Sequence, residues 1–210
     1  MDYKKYTELV NQYYETDNRE INYQNRVIIP FLEELLGEEY DVVDVSQLTK
    51  QWKEIDRDKF AGYHTPDILV AKKWRLRKSK ENDTEYLLLI EVKSPTAKDR
   101  EHAEREVGEY IHKIQNVILT DCLTWEFYPK REGIKDVCLE KKYSEVVRIR
   151  NGRYRTREEY KEIEYGFPAR VCERYAIAEI RWQGEETWKE LCKQIKMSLE
   201  YMNDKKELKG

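Results

Sequence analysis

Two short apolar runs constrain this chain more than any other feature. Ile68-Leu69-Val70-Ala71 follows Thr65-Pro66-Asp67, and Tyr86-Leu87-Leu88-Leu89-Ile90 leads into Glu91-Val92-Lys93. Both are brief, rich in branched side chains and bounded by polar residues. That pattern reads as central strands buried on both faces. The expected architecture is therefore α/β, a mixed central sheet flanked by helices.

The rest of the chain supplies the covering elements. Tyr6, Leu9, Val10 and Tyr13 recur at three- and four-residue spacing, predicting a helix over 3–16. A second helix, capped by Asp17 or Asn18, should reach about Leu36 and stop at Gly37. Its core face would hold Ile21, Ile28, Phe31, Leu32 and Leu35, and Pro30 should kink it. A strand is expected within 39–48 and a polar loop over 50–64. A charged helix should run from about Lys98 to Gln115, followed by a strand at 117–120 and a hairpin pairing 124–128 with 134–139. Asn151-Gly152 is a strong hairpin signal, and the last element is a helix over about 185–202. No repeat or linker is evident. Residues 1–210 are expected to form one domain, with a core over about 18–130 and a C-terminal extension of hairpin and helix over about 131–210.

Composition excludes classes of protein rather than choosing one. Lys and Arg number 39 and Asp and Glu 42, so 39% of residues are charged while the net charge is only −3. An average soluble domain is about 25% charged. Overall charge thus nominates no polyanion partner. No run approaches the roughly 18 apolar residues that span a bilayer, and the opening MDYKKYTELV lacks the apolar core of a signal peptide. Sixteen tyrosines and five tryptophans argue against disorder. Cys122, Cys138, Cys172 and Cys192 form no CxxC pair and read as free thiols. A cytoplasmic protein with no membrane partner is expected.

The candidate chemistry lies at the ends of the two apolar runs. Glu91 and Lys93 are two apart on a strand, so they share a face. Asp67 opens the neighbouring strand. If the strands pair, two carboxylates and an ammonium converge. Two carboxylates, waters and a phosphate oxygen make a suitable shell for Mg²⁺. Such a metal activates water for phosphodiester hydrolysis while the lysine orients that water or offsets charge on phosphorus. The bare pattern is weak, because acid-x-Lys triplets recur at Asp2-Lys4, Glu140-Lys142 and Glu159-Lys161. Context separates Glu91-Lys93 from these, since it follows four apolar residues, where ionisable groups are costly unless they serve a metal or a partner. The alternative is a turn aspartate beside a paired surface dyad.

The order helix, strand, Thr-Pro-Asp-strand, strand-Glu-Val-Lys-Ser, helix, strand resembles the PD-(D/E)xK nuclease superfamily. It is most similar to the N-terminal nuclease domain of type I restriction endonuclease motor subunits and their stand-alone relatives. The likeness rests on Glu20-Ile-Asn-Tyr-Gln-Asn-Arg-Val-Ile-Ile-Pro30-Phe-Leu, on Pro66-Asp67, on Glu91-Val92-Lys93-Ser94-Pro95, and on Val117-Ile118-Leu119-Thr120-Asp121 followed by Trp125 and Tyr128. It implies a restriction-endonuclease-like core. It also implies a Mg²⁺-dependent DNA endonuclease of restriction or phage defence, with Mn²⁺ able to substitute and a 5′-phosphate product. Asp67 and Glu91 would hold the metal, with the Val92 backbone carbonyl as a further ligand, and Lys93 would be the catalytic lysine. Glu20 would be the first-helix acid that reaches the metal or its water; equally, it reads as a helix-start residue in a capping box with Asp17. The family often places a glutamine four residues before a tyrosine on the helix after the lysine. Tyr110 is present, but the matching position is Glu106, which cannot donate as an amide does.

DNA is the implied partner, together with a second copy of the chain or a separate motor or specificity subunit. The chain carries no P-loop of its own. Two basic features could track a phosphate backbone. The turn after the first apolar run holds Lys72, Lys73, Arg75, Arg77, Lys78 and Lys80. In the second, a two-residue turn at Asn151-Gly152 would oppose Arg150 to Arg153 and Arg148 to Arg155 on one face. Glu145, Glu158 and Glu159 could instead neutralise the hairpin in solution, and the plain reading of both features is a solvated surface. His64 stands three before Asp67 and could line the site, but reads first as an ordinary loop histidine; His102 and His112, on a charged helix, do not suggest zinc. Trp182 and Trp188 read as core anchors for the last helix. The competing functions are a catalytically silent nuclease-like binding or assembly module, a repair or recombination nuclease, and an enzyme acting on RNA.

Overall fold

A computed structural model describes residues 1–48, 57–75, 83–97, 100–141, 146–148, 154–156 and 180–207. Its centre is a six-stranded sheet whose strands lie side by side in chain order: β1 Asp41–Asp44, β2 Ile68–Lys72, β3 Glu85–Val92, β4 Val117–Thr120, β5 Thr124–Tyr128 and β6 Val137–Cys138. β3 and β4 are parallel, and the other neighbours are antiparallel. A parallel pair needs a crossover, which is supplied by helix α4, Arg100–Ile111.

The apolar runs are continuous because both faces of the sheet are covered. Ile68 and Val70 of β2 enter one core with Leu88, Ile90 and Val92 of β3. Leu69, Ala71 and Leu89 enter the other. Helices α1 (Tyr3–Thr16), α3 (Ile29–Leu36) and α5 (Glu185–Glu207) close the first core through Tyr6, Phe31, Leu32, Trp188, Leu191 and Ile195. Helix α4 closes the second with Ala103, Val107 and Tyr110. Leu87 breaks the alternation. Ala71 pairs with Tyr86 and Val70 with Leu88, so Leu87 is the extra residue of a bulge and joins the first core. The structure is thus α/β with a mixed sheet flanked by helices. No helix among the described residues is long and apolar enough to cross a membrane.

The second predicted helix departs from expectation at its start and at Pro30. It begins at Glu20 with α2, Glu20–Tyr23, and no side chain caps it. Asp17 is committed elsewhere: its carboxylate takes the Arg19 guanidinium at 2.8 and 2.6 Å. The expected cap and the capping box with Glu20 therefore do not form. A π-helical turn follows at Gln24–Ile28, and α3 then carries Pro30 in its first turn. Proline lacks an N–H and its ring crowds the carbonyl four residues back; a wider turn relieves both. Gly37, at φ 68°, ends α3.

Helix α5 docks through aromatic packing. The Trp188 ring lies 4.5 Å from that of Tyr6 and 4.6 Å from that of Phe31, centroid to centroid. Trp182 donates its indole N–H to Asn11 at 3.2 Å. Both tryptophans anchor the C-terminal segment, as their spacing predicts.

Candidate active site

The β2–β3 register builds the site. Ile68 pairs with Ile90, so Asp67, one residue earlier, stands level with Glu91. Asp67 Oδ2 accepts the Val92 N–H at 2.7 Å, which fixes the carboxylate against the neighbouring strand. The Lys93 N–H continues the parallel ladder to the Thr120 carbonyl at 2.8 Å. Lys93 Nζ then donates to Glu91 Oε1 at 2.9 Å. These three residues meet at the C-terminal end of β3, beside the parallel strand β4.

Two further carboxylates complete the cluster. Glu20 Oε2, from α2, stands 3.9 Å from Lys93 Nζ, and Glu106 Oε2, from α4, stands 3.7 Å from it. Glu20 therefore reaches the site, while its proposed partner in a capping box does not. Gln24, one turn after Glu20, is buried and donates its side-chain N–H to the Asp67 carbonyl at 3.3 Å. This residue ties the π turn to the site, and the Glu20–Gln24 spacing is the only sequence signal that points to it. Glu106 occupies the position where the resembled family carries glutamine. The buried Tyr110 hydroxyl, one turn later, makes no hydrogen bond of good geometry among the described residues but lies near Glu91; burial, and then the Glu91 charge, raise its pKa above the ordinary value.

The electrostatics of this arrangement are unbalanced. Glu20, Asp67, Glu91 and Glu106 surround one ammonium. Burial pushes Asp67 up to about 6, although the Val92 N–H opposes it. Burial and then the nearby Asp67 charge push Glu91 up to about 9, against the pull of Lys93. Burial alone would lower Lys93, but Glu91, Glu20 and Glu106 outweigh it and hold the ammonium charged. Glu91 is 5% exposed, and its Oε2 atom has no hydrogen-bond partner among the described residues. A buried carboxylate oxygen of this kind is costly unless a cation or proton meets it. The donor set is all hard oxygen, which suits Mg²⁺ or Mn²⁺. Asp67 spends one lone pair of Oδ2 on the Val92 N–H. At Val92 it is the N–H that faces Asp67.

The expected DNA contacts fare differently. Lys73 and Arg75 each lie 3.7 Å from Asp83, so a local carboxylate offsets both. Arg77, Lys78 and Lys80 lie outside the described residues, as do Arg150 and Arg153. Strands β7, Val146–Arg148, and β8, Tyr154–Thr156, pair as expected but in a different register. Arg148 stands opposite Tyr154 and Arg155 opposite Val147. The reading that opposes Arg148 to Arg155 is corrected. Symmetric pairing around a two-residue turn would set 148 against 155; the observed pairing leaves residues 149–153 between the strands, so the register slips by one.

Comparison of the chain with known protein families, with curated proteins and with solved structures finds no match.

Proposed function

We propose that this chain is a Mg²⁺-dependent DNA endonuclease with a restriction-endonuclease-like core, of the restriction or phage-defence type. The observation that carries the reading is the convergence of Asp67, Glu91 and Lys93 at one strand end, with a buried Glu91 oxygen that has no hydrogen-bond partner among the described residues. Asp67, Glu91 and the Val92 carbonyl would hold the cation, with Glu20 reaching it or a water on it. Mg²⁺ bound there lowers the pKa of a water and neutralises charge on the phosphodiester.

The chain's own groups do the rest. Val92 N–H holds Asp67 in place, so the carboxylate needs no reorganisation before binding. Glu91 Oε1 orients the Lys93 ammonium. Lys93 stays protonated and donates toward the attacking water or a non-bridging phosphate oxygen, stabilising charge as it develops. Gln24 braces the Asp67 backbone.

The test is plasmid DNA with Mg²⁺. Wild type should nick or cut it, with Asp67→Ala and Lys93→Ala slowed by about 10²–10³-fold, the scale seen when one stabilising group is removed. Cleavage that is absent, or equal in all three proteins, sinks the enzyme reading and leaves a binding module. Single-stranded RNA cut in preference to duplex DNA moves the substrate to RNA.

A further inference from the structure

A second group of metal-ligating side chains stands on the α4 side of this centre. His64 comes from the loop before β2, and His102 and Glu106 lie one turn apart on α4. One ligand atom from each falls within 4.8 Å of the other two. The His64 and His102 rings sit 6.0 Å apart at 71°. His64 Nδ1 and Glu106 Oε2 are buried and make no hydrogen bond among the described residues; their contacts are longer ionic ones, to Glu109 at 3.4 Å and to Lys93 at 3.7 Å.

The surroundings resemble the outer shell of a metal site. Glu109, on the next turn of α4, accepts the His64 backbone N–H at 3.3 Å and places its other oxygen 3.4 Å from His64 Nδ1. A carboxylate behind a histidine fixes ring orientation and raises its basicity as a ligand. Gly62 faces the same carboxylate: a Cβ there would lie 3.1 Å from Glu109 Oε2, so glycine lets the loop close on α4. Arg105 contacts His102 Nδ1 at 3.2 Å, leaving Nε2 outside that contact. Lys93 Nζ stands 3.7 Å from Glu106 Oε2.

We propose that His64, His102 and Glu106 bind a divalent transition metal, of the Zn²⁺ or Co²⁺ class, next to the Asp67–Glu91 centre. Imidazole selects these ions over Mg²⁺. Ligand bonds of about 2.0–2.1 Å require only side-chain closure from the observed separation. Two histidines and one carboxylate leave coordination positions open, which water or a phosphate oxygen can take. The sequence does not bring His64 together with His102 and Glu106, because His64 and the α4 pair are far apart in the chain and meet only through the fold.

The experiment is Co²⁺ titration of the full chain, read by visible absorption and calorimetry, in an Asp67→Asn, Glu91→Gln background that removes the first centre. One equivalent of Co²⁺ should bind. Affinity should fall by more than about tenfold in His64→Asn, His102→Ala and Glu106→Gln, and by about tenfold in Glu109→Gln. His102 is exposed, so its replacement leaves the fold intact; His112→Ala, in the turn that follows α4, should bind as the parent does. No bound Co²⁺, binding unchanged by His102→Ala, or a thiolate charge-transfer band placing the ion on cysteine would each overturn the proposal. Because the reporter is the metal alone, failure of the nuclease reading leaves this result standing.

Discussion

Glu91 is the residue on which the site's electrostatics turn. Its neighbour Asp67 keeps a backbone donor, whereas Glu91 has one oxygen on Lys93 and one with no hydrogen-bond partner among the described residues. Both carboxyls titrate above their ordinary values of 3.8 and 4.5, at about 6 and about 9. A carboxyl whose folded pKa is raised adds stability below its unfolded pKa and loses it as pH rises through the folded one. For Glu91 that window runs from 4.5 to about 9. The chelator-treated protein should therefore lose thermal stability as pH rises across this window. Glu91→Gln, which cannot ionise, should flatten the slope and gain roughly a few kcal/mol at about pH 8. Mn²⁺ competes with the same protons, so its stabilisation should grow with pH. Melting curves across pH in chelator check this; parallel slopes for wild type and Glu91→Gln would discard the account.

At the scale of elements, legibility followed burial. The strands β2 and β3 were readable because both their faces are covered, so the local pattern already carries the tertiary answer. Asp67, Glu91 and Lys93 stand out for the same reason: each interrupts or ends an apolar run. What is not legible depends on which partner each side chain takes, near or far in the chain. Asp17 is a good cap by type, but Arg19 claims it. Glu106 and His64 reach their places only because α4 crosses back over β3 and the preceding loop folds onto it. The β7–β8 register differs by one from the expectation, which rests on turn chemistry alone. Pro30 is the intermediate case, since it predicts a disturbance without its form. The π turn adds a residue between α2 and the anchored Phe31 and Leu32. Pro30→Ala restores the missing donor and lets the segment revert to α geometry. Losing one residue of winding rotates α2 by about 100°, which swings Glu20 and Gln24 away from Lys93 and Asp67. Metal affinity and cleavage should fall while thermal stability holds or rises. Full activity with an unchanged melting point would show that the π turn does not position the site.

Across the whole molecule, the near-cancelling charge is arranged rather than uniform. A net of −3 conceals a carboxylate cluster gathered around Lys93, while basic groups such as Arg19, Lys73 and Arg75 are held by acids at the surface. The cluster sits where an α/β sheet tends to bind ligands, beyond the carboxyl ends of its parallel strands. That position depends on the sheet being held from both sides. The first core is closed partly by α5, whose Trp188 is 5% exposed against Tyr6 and Phe31. The second is closed by α4 against Leu89, fully buried in β3. If residues 1–210 fold as one unit, damage to either core must lower the same transition. Trp188→Ala should cost about 3–5 kcal/mol and Leu89→Ala about 2–5 kcal/mol. Both should shift the urea midpoint without changing the slope, since the area exposed on unfolding is unchanged. Circular dichroism and tryptophan fluorescence should report one coincident transition in each variant. An early step confined to Trp188→Ala would mean that α5 unfolds separately, and that the carboxylate–lysine centre stands on the sheet, α1, α3 and α4 without it.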